Sequence, residues 1–444
     1  MRNGEPQVSS RSLLSRQHQT FFFEWAAIIP LVIYLASYKF SHTLVGKTSL
    51  TGRLYIGLFP KLGILGSVAS LLNEGSDYLD RVCSISELKK EVWDANFGGT
   101  FTCANGAASA LITSYATKGR KPISVESTTP DSGPTSPPKD LSIKHQPEFR
   151  RYQTLHVFQY SRTNVPRTIT DKLLRWHFAA TFKIVMISGL MACAVVAVFF
   201  GLLGTAVAIL TSACIQVCCQ LVRIQRPGRF LDPNELGQAC MLTSLHNNAT
   251  TWYLFAGDRG IVDGILNKSM IYSISGKLGD TSTKVLASIF ATLELLQLLS
   301  MTYVASQKGW DGIGMLILVI SCWIWEKAVY SEKSVVREWI TEAGIDISVT
   351  TFEFSGRTPM LGAIQLWKQN PIEVWMDNIL QPTPRRQVWL SYLAGTNTLD
   401  FIVGLEKSLD RRDKRWVTGN ASRTKEALKI WKEIAPLRKS IVES

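Results

Sequence analysis

The chain has 444 residues, 46% of them hydrophobic, and 48 Lys and Arg against 35 Asp and Glu, a formal net charge of +13. A nucleic-acid partner would need a basic patch with interleaved aromatics, and none stands out. The bases flank apolar blocks instead, where they set orientation and meet anionic headgroups, so the expected partner is the lipid bilayer and not nucleic acid.

Phe21 to Tyr38 is apolar and follows a basic start with Arg2, Arg11 and Arg16. Its 18 residues and lack of a clean cleavage site favour an uncleaved span over a signal peptide, with residues 1–20 cytosolic. Two further stretches compete for the second span of a first membrane region at 21–117. Tyr55 to Leu72 is apolar but holds Pro60 and Lys61, and Gly98 to Thr117 is uncharged and rich in Gly, Ala, Ser and Thr. Between them, residues 73–97 carry six acids against three bases. Few positive charges therefore hold that stretch inside, which favours 98–117 as the span and leaves 55–72 at the interface.

Residues 118–169 turn to Pro, Ser, Thr and Lys, a composition that buries too little apolar area to offset chain entropy and predicts a disordered loop. The next region, 170–222, opens with an amphipathic lead-in. Between Lys183 and Arg223 lie 39 residues with no Asp, Glu, Lys or Arg. As helix that run is roughly 59 Å long, twice the thickness of a bilayer core, so it reads as a hairpin of 184–200 and 202–222 turning near Gly201 and Gly204. Residues 285–330 form a second hairpin, with Trp310, Trp323, Trp325 and Tyr330 placed as interface anchors. The fold class expected is therefore all-α and polytopic, with about six transmembrane helices in hairpins and a small mixed cytosolic region at 331–444. In that region Ile345 to Phe354 alternates as a strand, and Ala427, Ile430, Trp431 and Ile434 mark one face of a terminal helix.

Base counts orient the chain. Residues 118–183 carry twelve bases against five acids, 223–284 seven against five, and 331–444 seventeen against fourteen. The first is the cytosolic side by the positive-inside rule, and returning hairpins place the other two with it. The location is a plasma membrane or endomembrane, and cytosolic proteins are the expected partners besides lipid.

The most unusual stretch runs from Ser244 to Met270, within the 223–284 loop. It sets His246, Asp258, Arg259, Asp263, Asn267 and Lys268 among apolar residues, with Gly257 and Gly260 turning the chain around Asp258 and Arg259. This block resembles one in uncharacterised multi-pass membrane proteins of filamentous fungi, over roughly residues 200–275, where a His-Asn-Ala segment precedes a Gly-Asp-Arg-Gly turn and a Leu-Asn-Lys helix. The resemblance implies a membrane protein and no particular reaction. From the residues themselves, three readings stay open: a structural polar turn with internal ion pairs, a protein or lipid contact, and a catalytic role for His246, Asp258 or Asp263. No Walker loop, dinucleotide fingerprint, His-Glu-x-x-His or aspartate-rich motif appears, so the sequence calls for no cofactor and no metal.

Within the spans, Glu294 and Gln297 are the polar residues hardest to place in lipid. They are read as packing residues or as a proton or cation relay. Cys218 and Cys219, at a basic cytosolic edge, suit either small packing residues or reversible lipidation. Cys83 and Cys103 are the candidate disulfide pair. The leading expectation for function is a membrane-anchored scaffold or accessory protein. A transporter or channel using Glu294, or a membrane-embedded enzyme on an apolar substrate, are the alternatives.

Overall fold

A computed structural model describes residues 10–36, 41–85, 88–125, 151–163, 169–277, 279–307, 309–329, 331–368, 372–396 and 400–434. In chain order these form α1 (Ser10–Leu35), α2 (Ser41–Thr51), α3 (Ile64–Glu74), α4 (Ser76–Cys83), β1 (Glu91–Asp94), β2 (Thr100–Thr102), α5 (Gly106–Thr117), β3 (Ile123–Ser124) and β4 (Gln153–Arg162). Then follow α6 (Ile169–Phe199), α7 (Leu203–Leu221), β5 (Val222–Gln225), β6 (Gln238–Ser244), β7 (Thr251–Asp258), α8 (Arg259–Leu266) and β8 (Ser273–Gly276). The chain continues through α9 (Asp280–Ser306), α10 (Trp310–Val329), α11 (Glu332–Ala343), β9 (Ile345–Phe354), α12 (Arg357–Lys368), α13 (Pro384–Ala394), α14 (Asp400–Ser408) and α15 (Arg411–Ile434).

The protein is not all-α. A seven-stranded mixed sheet, in the order β2-β1-β6-β7-β4-β9-β3, is assembled from strands that lie far apart in sequence. Ten residues of β4 pair antiparallel with ten of β9, from Gln153 opposite Phe354 to Arg162 opposite Ile345. β4 also pairs parallel with β7. Both faces of the sheet are covered. On one, Leu155, Val157, Leu242, Leu254 and Phe352 pack against Met360 and Ile364 of α12, Trp389 of α13 and Trp431 of α15. On the other, Phe158, Tyr160, Met241 and Phe255 pack against Leu111 and Ile112 of α5, Ile261 and Ile265 of α8, and Trp339 of α11. Neighbouring residues therefore bury on opposite faces, and a strand buried on both reads as a continuous apolar run without the alternation of a half-exposed one.

Several expectations are overturned by this sheet. Among the described residues four helices, not six, are long and apolar enough to cross a membrane: Thr181–Phe199, Leu203–Leu221, Ser282–Ser306 and one beginning at Trp310. Residues 98–117 do not form a span. They hold β2 and the 12-residue α5, whose apolar side chains are buried under the sheet, and a helix of that length falls short of a bilayer core. Residues 223–284 are not a loop but contribute β5, β6, β7, α8 and β8, and residues 331–434 are no separate tail, since β9 is an inner strand of the sheet. In the stretch expected to be disordered, β3 and β4 join the sheet, while residues 126–150 lie outside the described residues.

Below the body, α6 with α7 and α9 with α10 form two long hairpins. Their turns meet: Asp311 accepts hydrogen bonds from the Gly204 and Thr205 backbone at 2.8 and 2.9 Å and from the Thr205 hydroxyl at 2.6 Å. A carboxylate on the free amides of a helix start satisfies groups with no partner inside the helix and complements its dipole. The short ribbon of β5 and β8 ties the other end of α7 to that of α9. Helix α1 runs parallel to α10. Phe23 stacks edge-on against Trp310 at 5.5 Å, a Cβ on Gly312 would come within 3.0 Å of Ala27, and Tyr34 packs in one cluster with Val319 and Cys322. The middle of α1, at Phe23, thus lies at the level of the hairpin turns, and its end at Tyr34 lies nearer the sheet.

Residues 52–63, between α2 and α3, dip among these helices and return. The Gln216 amide donates to the carbonyls of Ile56 and Gly57 at 3.3 and 3.2 Å, and Leu62 donates to the Tyr34 carbonyl at 3.4 Å. Irregular backbone at such a position keeps its polar groups only where the surrounding protein pairs them.

Candidate functional site

The Ser244–Met270 block is split by β7. His246 lies in the turn before the strand, where its ring Nδ1 accepts from the Asn248 amide at 3.1 Å and the side chain is exposed. Asp258 closes the other end, eight residues of strand and roughly 26 Å away. His246 and Asp258 therefore stand at opposite ends of β7.

Asp258, Arg259, Asp263 and Lys268 do come together, with residues from three other segments. Asp258 caps α8 by accepting from the Ile261 amide at 3.0 Å, and it pairs with Arg162 at the end of β4 at 2.8 Å. Arg259 is buried. Its guanidinium reaches Asp94 of β1 at 2.9 Å, Asp263 one turn along at 3.1 Å and Glu235 at 3.0 Å, with the Phe97 ring 4.6 Å from its centre. The Lys268 ammonium donates to the Asp232 carbonyl. Burial pushes the Asp263 carboxyl up, and the Arg259 charge pulls it back. Asn267 is exposed, and only its backbone is held, donating to the Asp263 carbonyl at 2.8 Å. The buried partners Asp94 and Asn105 gave no sequence signal. Asn105 donates to the carbonyls of Gly264 and Lys268 at 3.1 and 2.6 Å, closing the end of α8.

Both glycines of the turn are demanded by close approach. Gly257 has φ +112°, and a Cβ there would lie 2.1 Å from the Tyr160 carbonyl oxygen. One on Gly260 would lie 1.9 Å from the Leu231 carbonyl oxygen. Only a residue without Cβ lets α8 start against β4 and the 229–237 loop.

Around this anchored core stands an apolar rim. Phe97 is 57% exposed, Val374 63% and Leu236 99%. Leu236 sits between Glu235, held by Arg259, and Gln238, whose carbonyl accepts from Asn96. Val374 and Ile372 approach Gly98, next to Phe97. These large apolar side chains stand in the open around the buried ion-pair network, beside the short edge strand β2. Among the described residues no group of three or more His, Cys, Asp or Glu could hold a metal.

The remaining candidates resolve individually. Glu294 accepts from the Gly63 amide at the start of α3 and so pins the returning segment. Gln297, one turn along α9, is 1% exposed, and neither amide atom has a hydrogen-bond partner among the described residues. Cys218 is buried among Leu44, Ile215 and Leu286, and Cys219 is half-buried. Cys83 and Cys103 are both free and buried. Burial pushes both thiols up, Cys103 to about 11. Beside Cys103 lies Lys90, which no sequence pattern singles out; it is 5% exposed, 3.3 Å from the Ser109 hydroxyl and 4.9 Å from the Tyr253 ring centre. Burial pushes its ammonium down to about 8.

No protein-family model, curated protein or solved structure matches the chain.

Proposed function

We propose that this is a multi-pass membrane protein that displays its α/β body on the cytosolic face of a bilayer, as an anchored scaffold or accessory protein engaging a protein partner at the Phe97, Leu236 and Val374 rim. The observation that carries this reading is the sheet. Its strands come from before α6, from between the hairpins and from after α10, and strands that pair must share one side of the membrane. Both hairpins then enter from and return to that side. The excess of bases in 118–183 marks it as cytosolic.

Neither alternative gains support. Glu294 is engaged in holding Gly63, which leaves a packing role rather than a relay. For the embedded-enzyme reading, His246 lies a strand's length from Asp258, so these two candidates form no pair.

The acceptor triplets starting at Asn248, Asn267 and Asn420 give a direct test of sidedness. No glycosidase-sensitive mobility shift is expected at any of them, and sugar on any one would overturn the cytosolic assignment. For the contact itself, in-cell crosslinking of the full chain should give a discrete heteromeric band that Leu236→Asp and Phe97→Asp remove while the purified variants melt as wild type does. A band unchanged by both substitutions contradicts the rim.

A further inference from the structure

Between α1, α10, the last third of α9 and the tip of the 52–63 segment lies a cavity of about 350 Å³. That volume is at the small end for ligand pockets, roughly a dozen water-sized groups. Its walls are graded. Met301 and Val319 form an apolar floor, and Tyr34, Lys61 and Glu326 stand at the other end, Glu326 about 10 Å along α10 from Val319. Its outer flank is open, with Ile33 at 37%, Ile320 at 45% and Trp323 at 49% exposure, so an occupant enters sideways between α1 and α10. On the membrane reading above, that opening faces lipid on the side nearer the sheet, where α10 leads into α11.

Two polar groups at that end make no hydrogen bond among the described residues, although the charge of one, Glu326, is felt by the buried Lys47 ammonium. Tyr34 is 1% exposed, and its hydroxyl has no hydrogen-bond partner among the described residues. Glu326 makes no hydrogen bond or ion pair among the described residues, whereas Lys61 is already engaged. Buried hydroxyls ordinarily find a partner, and a carboxylate only accepts. An occupant that completes this site brings a hydrogen-bond donor to Glu326 and Tyr34 and an apolar body to Met301 and Val319.

We propose that the cavity is a binding site for a lipid-soluble amphiphile with a hydrogen-bond-donating head, a hydroxyl or ammonium, on a single apolar chain. The Tyr34 and Phe59 rings border the head, while the Trp323 ring already carries the Lys327 ammonium 4.1 Å from its centre. A fatty acid is disfavoured, because its carboxylate would face the Glu326 carboxylate.

The test uses the purified full-length chain in phosphatidylcholine nanodiscs, photolabelled with a diazirine-bearing dodecylamine or with the matching dodecanoic acid. Label from the amine should map to the α1 and α10 peptides around Ile33 and Trp323, with the acid at least about tenfold weaker. Val319→Phe, which fills the floor, should abolish it. Glu326→Gln should reduce the preference for amine over acid by about tenfold. Melting curves identify variants that fail to fold, and Tyr34→Phe then serves as a second variant, expected to weaken labelling. Equal labelling by amine and acid, or labelling indifferent to Val319→Phe in a folded protein, overturns the site. Because labelling is read on isolated protein, it stands or falls separately from the partner contact at the rim.

Discussion

Replacing Arg259 with Ala would strand two buried carboxylates. Asp94 and Asp263 each lie within 3.1 Å of the guanidinium, and all three side chains are 6% exposed or less. Glu235 is 53% exposed, so water screens its share, which falls to at most about 1 kcal/mol. Removing one partner of a buried pair costs about 3–5 kcal/mol. For a body of this size that corresponds to a drop of about 6–20 °C in melting temperature. Acid should soften the loss. The Asp263 carboxyl is already raised by burial, and without Arg259 the opposing pull is gone. A carboxyl whose folded pKa is raised opposes folding above that pKa, and the opposition fades as pH falls through it. The deficit of Arg259→Ala against wild type should therefore shrink between pH 7 and about 5. Scanning fluorimetry of the detergent-purified chain reads both effects, and Arg259→Met combined with Asp94→Asn and Asp263→Asn should recover much of the loss. A melting temperature within about 2 °C of wild type, or a deficit that grows in acid, would refute the reasoning.

Three further substitutions have defined outcomes. Gly260→Ala places a Cβ 1.9 Å from the Leu231 carbonyl oxygen, so expression of folded protein should collapse, as judged by size-exclusion profile. Lys90→Met should raise the melting temperature at pH 7, since lowering the ammonium from 10.5 to about 8 sets roughly 3 kcal/mol against folding. A lysine with a lowered folded pKa carries that penalty fully below pH 8 and sheds it by about 10.5, so wild type and variant should converge over that window in pH-dependent melts. Gln297→Leu removes two unpartnered amide atoms from the helix bundle and should leave stability equal or higher by about 1 kcal/mol, whereas a marked loss in the same assay would reveal a partner for that amide.

The helical hairpins were legible because the 39-residue charge-free run exceeds anything a globular core needs. The sheet was not, for a physical reason: β4 and β9 pair across nearly two hundred residues, and periodicity sees only neighbours. Strand β9 itself showed in its alternation, yet nothing in Ile345 to Phe354 names its partner. Helix α5 misled because burial under a sheet and burial in lipid select the same Ala, Ile and Leu; its 12-residue length was the discriminating signal. Within the site, Arg259, Asp263 and Lys268 stood out as charges in an apolar stretch. Asp94, Asn105 and Glu235 did not, since each is ordinary until the fold brings it to α8. Glu294 was found as a polar intrusion, but its role depends on Gly63, more than two hundred residues earlier.

On the proposed reading one body stands on one side of the membrane. Single cysteines introduced at Leu236, Tyr272 and Val374, all more than 60% exposed, and at Phe200 in the hairpin turn, 77% exposed, test it most directly in a cysteine-free background. With a membrane-impermeant maleimide on sealed cells, the first three should label only after permeabilisation and Phe200→Cys without it. A split among Leu236, Tyr272 and Val374, or Phe200 labelling together with them, would contradict the account.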